Sequence, residues 1–398
     1  MATNSILTPT AVTRKALQIL HQKLNFIGAM NRQYDDSFAK SGAKIGDSLK
    51  IRLPNQFTVR SGAALSAQNT TETSTTLTVS QQKGVDVEFT SAELTLSMDD
   101  FAQRILEPAM AVLAANIEAD AFSMVNDVYN VVNNTGSPSP MTLKALLQGR
   151  KVLTDNLAPS SGRKLILNTQ DNLDLVDSLK GLFQDSTEIA KQYREGMVGR
   201  TAGFGEIYEN TLIPTHTTGT AAATSGYLVN GGSQTGSTLT VDTGTTTFLV
   251  GDVITIAGVY RVHPETKVST SELQQFVVTA NSGTSATSLA ISPAIVTSGG
   301  SQNVSGSPAD NAAISKIGGN GTVYKPSLAF HENAFTFATA DLVMPQGVDF
   351  AAREVYDGIS MRIVRQYAIS TDTMPCRIDV LYGYKTIRPQ IACQILSN

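Results

Sequence analysis

The 398-residue sequence has no tryptophan, two cysteines and only 16% charged residues. Each shortage removes a class of protein. Two cysteines cannot staple a small scaffold, and Cys376 and Cys393 both flank strand-like runs near the C-terminus, where buried reduced thiols are expected. No apolar run reaches the roughly 18 residues of a bilayer-spanning helix. Met1 to Thr13 lacks a charged region followed by an apolar core, so no secretory signal is read and synthesis in the cytoplasm is expected. A net charge of −4 lacks the positive excess needed to wrap nucleic acid. Aromatics, at 6%, argue against a surface that stacks sugars without closing that class, and the basic N-terminal segment lacks the interleaved aromatics of a single-strand binder.

Catalytic patterns are missing as well. The four histidines, His21, His216, His263 and His331, sit in unrelated segments without metal-ligand spacing. The glycines at 196, 199, 203 and 205, and at 318, 319 and 321, do not join a strand to a helix with nucleotide-binding spacing, and read as turn residues. Ser161-Gly162-Arg163-Lys164 matches Ser-x-x-Lys, a common four-residue pattern whose usual companions are absent. Asp35 with Asp36, and Asp99 with Asp100, are adjacent carboxylates that point apart or cap helices. Cys376 has no histidine near it in sequence. The expectation is a protein that is not an enzyme, with no catalytic residues, no cofactor and no metal.

What is present is organisation. Residues 1–60 hold nine Lys/Arg against three Asp, a local balance of +6. A solvated basic segment and a docking surface for an acidic partner are both open readings, and Arg14, Lys15 and Lys23 are the candidate contacts for such a partner. A helical portion is expected near Val12–Leu24. Lys44 to Thr90 reads as a two-stranded projection, with Ser48–Pro54 and Phe57–Arg60 on one side and Thr76–Val79 with Val85–Phe89 on the other. Its small polar middle, Ser61–Ser74, has no apolar cluster of its own. An isolated hairpin of this kind is marginal in water, and its open edges invite pairing with another chain.

Pro108 to Val132 reads as one long amphipathic helix. A shorter lead-in runs from Ser97-Met98-Asp99-Asp100 to near Leu106. Proline suits a first turn, and Met110, Leu113, Ala114, Ile117, Ala121, Met124, Val125, Val128 and Val132 recur at three- and four-residue steps. Such a helix would be about 37 Å long. Met141–Leu157 predicts a second helix, Arg163–Leu167 a strand, Asn168-Thr169-Gln170-Asp171 the cap of a third helix to Leu179, and Glu206–Pro214 another strand. Composition then shifts. Thr211 to Val250 carries one charged residue, Asp242, and Phe276 to Ala309 carries none. Alternating runs at Leu239/Val241, Val253–Val259, Phe276–Val278 and Leu289–Ile291 are separated by Gly, Ser and Thr clusters. This spacing predicts an all-β domain, barrel or sandwich, inserted over Gly219–Lys316. Host strands resume at Ser327–Phe330, Ala334–Ala340, Ile359–Ala368, Cys376–Tyr382 and Ile391–Leu396.

Three stretches carry a resemblance. Gly199–Thr215, GRTAGFGEIYENTLIPT, Phe248–Val259, FLVGDVITIAGV, and Cys376–Ile395, CRIDVLYGYKTIRPQIACQI, resemble in order and spacing the major capsid (coat) proteins of tailed bacteriophages. The likeness is strongest to the inserted-domain coat proteins of short-tailed Salmonella phages. In that family the last stretch is a strand pair with a Tyr-Gly turn. The resemblance implies an α+β protein of the tailed-phage/herpesvirus-type capsid fold with an inserted all-β domain. It implies an N-terminal arm (1–43), an extended loop (44–90), a peripheral domain with a spine helix (91–139, helix 108–132), the first part of an axial domain (140–218), an inserted β-barrel-like domain (219–316) and a second part shared by the axial and peripheral domains (317–398). Its implied function is a self-assembling subunit, in pentamers and hexamers, of an icosahedral shell enclosing double-stranded DNA. The implied partners are further copies of the chain, a scaffolding protein, a portal protein and DNA held by non-specific contacts, with no membrane. A different class stays open on the residues alone: a β-rich tail or surface protein whose Ser/Thr-rich domain recognises a carbohydrate or other receptor.

Overall fold

The computed structural model describes residues 16, 24–32, 47–65, 67–68, 72–90, 107–133, 140–179, 202–356, 359–370 and 373–397. The helix expected over Val12–Leu24, the lead-in from Ser97 to Leu106 and the carboxylate pairs Asp35/Asp36 and Asp99/Asp100 lie wholly or largely outside those residues. The chain divides into two compact units.

The first unit comprises Met1–Ile51, Ser74–Phe122 and Phe335–Ile387. It holds helix α1 (Asn25–Ala29), strands β1 (Asp47–Arg52), β2 (Ser74–Val79) and β3 (Gln81–Thr90), helix α2 (Glu107–Phe122), and strands β16 (Phe335–Ala340), β17 (Phe350–Tyr356), β18 (Ile359–Arg365) and β19 (Thr373–Thr386). The sheet runs β16-β19-β18-β17, and β3 pairs with β19 from Thr373↔Thr90 to Tyr382↔Gln81. The family's Tyr-Gly turn is not a turn here. Gly383 lies inside β19, and a Cβ there would fall 2.2 Å from the Thr78 carbonyl oxygen of β2. Glycine is required because another backbone crosses it. Helix α2 buries Met110, Leu113, Ala114, Ile117, Ala121 and Phe122. Phe122 stacks on Phe26 at 4.3 Å between ring centres, and the buried Glu118 carboxylate accepts from the Phe26 N–H. A buried charge needs such a donor.

The expected 25-residue helix is therefore an overestimate. The α-helix stops at Phe122, a 3-10 turn covers Ser123–Asp127, and Val131–Asn133 form strand β4. At 16 residues, α2 is about 24 Å long. The apolar spacing carries on to Val132, but the stretch beyond Phe122 sets two adjacent valines, Val131 and Val132, behind the poor helix formers Asn126, Asp127 and Asn130. Strand pairing outcompetes a helix there. The Asn130 side chain donates to the carbonyls of Gln390 at 3.1 Å and Ala392 at 3.0 Å, leading Val131 into parallel register with Gln394.

The second unit comprises Arg52–Thr73, Ser123–Ala334 and Arg388–Asn398. One five-stranded sheet has the order β4-β20-β15-β5-β6, using β5 (Arg163–Leu167), β6 (Glu206–Glu209), β15 (Ser327–His331) and β20 (Ala392–Leu396). Helices α3 (Leu143–Asp155) and α4 (Thr169–Leu179) match the two helices expected there. Asn168 caps α4, accepting from the Asp171 N–H at 2.7 Å. A short antiparallel pair, β7 (His216–Thr217) with β14 (Val323–Tyr324), forms a neck. Beyond it lies the inserted all-β domain, a closed barrel ordered β10-β11-β12-β9-β8-β13. Its strands are β8 (Thr224–Val229), β9 (Gly236–Asp242), β10 (Val253–Val262), β11 (Ser269–Val278), β12 (Ser288–Ile295) and β13 (Ala313–Lys316). Tyr227, Phe248, Phe276, Ile254 and Leu289 are among the side chains filling it.

Candidate assembly surfaces

Arg14, Lys15 and Lys23, the predicted contacts for an acidic partner, lie outside the described residues. Two other surfaces can be built from the residues upward: the projection and the attachments of the barrel.

The projection begins where β1 and β2 pair and continues with the Leu53 N–H bonded to the Thr73 carbonyl at 2.9 Å. Phe57–Arg60, expected as strand, makes no strand ladder. Instead the Gln68 side chain bridges the loop, its Oε1 accepting from the Thr58 N–H at 2.9 Å while its Nε2 donates to the Thr58 carbonyl. One amide side chain does the work of a missing strand. Along this segment Phe57 is 57% exposed, Val59 95% and Leu65 90%. Three apolar side chains are thus held in water along the segment.

The barrel meets the rest of its own unit at three attachments. At the neck, Asp252 is fully buried and accepts from His216 Nε2 at 3.0 Å, from the Gly219 N–H at 3.0 Å and from the Leu249 N–H at 2.8 Å. Beside it Lys316 donates from Nζ to the carbonyls of Gly219 and Gly319, both at 2.8 Å. Burial lowers the Lys316 ammonium pKa, against the opposing pull of Asp252. At the second attachment the Gln275 side chain of β11 lies along β4, accepting from the Val131 N–H at 2.8 Å and donating to its carbonyl at 3.0 Å. At the third, Lys151 and Arg261 alternate with Asp155 and Glu272 in a ring of four contacts between 2.7 and 3.2 Å. The hydrogen bond to Glu272, then that to Asp155, raises the Lys151 pKa. Tyr129, Val131, Val253, Val277, Tyr324 and Leu396 form the apolar seam among these anchors.

Several residues singled out in the sequence make structural contacts. Lys164 of the Ser-x-x-Lys match pairs with Glu206 at 3.1 Å. Asp171, buried, takes hydrogen bonds from Asn168, Ser327 and Ser397, and burial raises its pKa despite them. Burial pushes the Cys376 thiol up to about 11 and the Cys393 thiol up to about 12, which keeps both protonated near neutral pH. Among the described residues no group of three His, Cys, Asp or Glu side chains could hold a metal ion, and no helix is long and apolar enough to cross a membrane.

Residues 1–396 match the family model described as "P22 coat protein - gene protein 5". The chain belongs to the P22 coat protein family. It is a major capsid protein, its fold is the capsid fold of tailed phages, and its place is the virion capsid, in a shell of many copies. The carbohydrate-binding alternative is not favoured by that membership. Among solved structures the chain is similar to one from Mycobacterium phage Che8, at 13% identity over 94% of this chain and 90% of that one, with a TM-score of 0.48. It is similar to the capsid structure of the cyanophage P-SCSP1u at 10% identity, over 90% of this chain and 85% of that one, with a TM-score of 0.43. The CUS-3 coat protein I-domain is similar at 31% identity over 23% of this chain and 95% of its own, with a TM-score of 0.19. No curated protein matches the chain.

Sequence reasoning missed Gln68, Gln275 and the Lys151–Glu272 ring. The two glutamines act through side-chain amides that imitate a strand, and nothing in their neighbourhood marks them. Lys151 and Asp155 are four apart on α3 and legible as a pair, but their partners on the barrel are more than a hundred residues away.

Proposed function

We propose that copies of this chain assemble as pentamers and hexamers into an icosahedral shell enclosing the phage double-stranded DNA, after synthesis in the bacterial cytoplasm. A scaffolding protein directs assembly, and a portal protein occupies one vertex. The unit built around α2 and the β16–β19 sheet serves as peripheral domain, and the β4-β20-β15-β5-β6 sheet with α3 and α4 serves as axial domain. Residues 1–43 form the arm, 44–90 the extended loop laid on a neighbour, and 219–316 the inserted domain. The subunit acts as a structural protein rather than an enzyme. DNA would meet the lining through weak, salt-sensitive phosphate contacts without base readout.

The observation that carries the reading is the family match across residues 1–396. The exposed Phe57, Val59 and Leu65 on a loop with no core of its own supply the surface a neighbour would cover. Negative-stain microscopy of the expressed chain tests it: closed shells or capsomers are expected, and small discrete oligomers would sink it. Neutralising Arg14, Lys15 and Lys23 together should lower assembly yield and its salt sensitivity. Unchanged values would remove those residues from any acidic interface.

A further inference from the structure

The turn Ser298-Gly299-Gly300-Ser301 on the barrel lies against the stem of the projection. A Cβ at Gly300 would fall 2.1 Å from the Gln56 carbonyl oxygen, 2.6 Å from its carbon and 3.2 Å from the Phe57 nitrogen. Gly299 has φ +81°, a left-handed turn position; Gly300 does not, so any residue could adopt its backbone. Glycine at 300 is demanded by the Gln56–Phe57 backbone that passes over it. The turn is stiff. The Gln302 N–H closes it onto the Gly299 carbonyl at 3.2 Å, Asn303 clamps its base through Val296 at 2.9 Å and Ala294 at 2.7 Å, and Lys267 donates to the Gln302 carbonyl at 3.3 Å. The barrel carrying it is fixed by the three attachments already described. Beside the contact, an open groove of about 890 Å³ runs under the stem, lined by Leu53, Phe57, Leu157, Pro159 and Pro264. The stem thus meets the turn backbone to backbone at Gly300, beside that groove.

We propose that the inserted barrel buttresses the projection: the Gly299-Gly300 turn carries the backbone of Gln56–Phe57 and fixes the direction in which the chain runs on from that point. This rests on the reading of the projection as a subunit-to-subunit contact. A loop too poor in apolar residues to order itself would otherwise lose its orientational freedom on docking, and a prop presets that orientation. The inserted domain would then act on assembly from within the subunit.

The test uses the full chain with spin labels at Arg60→Cys and Ala280→Cys in a Cys376→Ser background. A narrow distance distribution is expected for the unassembled parent. Gly300→Val should broaden or shift it and reduce closed shells on the order of tenfold, while slow amide exchange over Val253–Val278 shows the barrel intact. An unchanged distribution overturns the buttress, and so does a broadened one accompanied by normal shells. Should Gly300→Val expose the barrel amides, Gly300→Ala decides the case by the same readings, because one methyl asks for a smaller shift. Deleting Gly62–Thr73 is the separate control. If that deletion leaves shells normal, the reading of the projection has failed, whatever the labels report.

Discussion

The barrel and the projection are written in similar residues and behave oppositely. Both are short β segments rich in Ser and Thr. In the barrel six strands close on themselves, so every edge is paired and sixteen buried residues form one core. In the projection two strands pair for one turn of sheet, a glutamine bridges the next gap, and apolar side chains stay in water. The difference is closure. A closed sheet satisfies its backbone internally, whereas an open hairpin leaves donors and acceptors to be met by something else. Low-complexity composition therefore says little about stability until the pairing partners are counted.

The comparison breaks hardest at Gly244. A Cβ there would sit 1.9 Å from Tyr227 Cζ, inside the ring. Tyr227 is fully buried and donates from its hydroxyl to the Thr246 carbonyl at 2.6 Å, so the ring has nowhere to go. Gly244→Val should cost about 5 kcal/mol, the scale of expelling a large aromatic from a core, read as a lower midpoint in urea. An unchanged midpoint would mean the barrel is not the tightly packed element described. Next in size is Asp252→Ala. It strips three donors of their acceptor and leaves the buried Lys316 ammonium without its nearest opposite charge, for about 3–4 kcal/mol. The same measurement checks it, and Asp252→Asn should recover part of the loss.

How much of this was legible divides along the same line. The barrel strands could be read because alternation and Gly/Ser/Thr punctuation are local signals, and the hydrophobic runs at 239–241, 253–259, 276–278 and 289–291 all fall inside β9 to β12. Arg163–Leu167 and the Asn168 cap were legible for the same reason. The long helix was misread because the helical rhythm runs on to Val132, which instead sits in a strand whose partner, Gln394–Leu396, lies some 260 residues downstream. Strand β17, Phe350–Tyr356, went unpredicted: its pairing with β18 alternates charged and small residues, Ala352↔Ile363 and Arg353↔Arg362, without an apolar run. The barrel's fastening to the sheet could not be read at all. It depends on Gln275, Asp252 and Lys316, single polar residues whose meaning is set by what they face.

A milder perturbation separates attachment from folding. Lys151→Met should remove about 0.5–1 kcal/mol, an exposed ring being screened by water. The effect should shrink in roughly 1 M salt, where the screening length is about 3 Å. The sign with pH comes from the raised Lys151 pKa: the contribution is complete below the ordinary ammonium value of 10.5 and is lost as pH climbs through the raised one. Stability that ran the other way, increasing through that range in the parent but not in Lys151→Met, would show that the ring strains the subunit instead of fastening it.

The smallest effect on the subunit is expected where the largest effect on assembly lies. Val59→Ser and Leu65→Ser replace side chains that are 95% and 90% exposed. Nothing in the folded subunit is lost with them, so the unfolding free energy read from urea titration should change by no more than about 0.5 kcal/mol. If a neighbouring copy covers these side chains, each substitution removes about 1.5–3 kcal/mol of burial from every contact in a shell. Repeated over many subunits, that shifts the concentration at which shells form steeply upward, which light scattering against subunit concentration would show. A parental assembly threshold would mean that the exposed face of the projection stays in water in the shell. The contact would then have to run through its backbone edge alone.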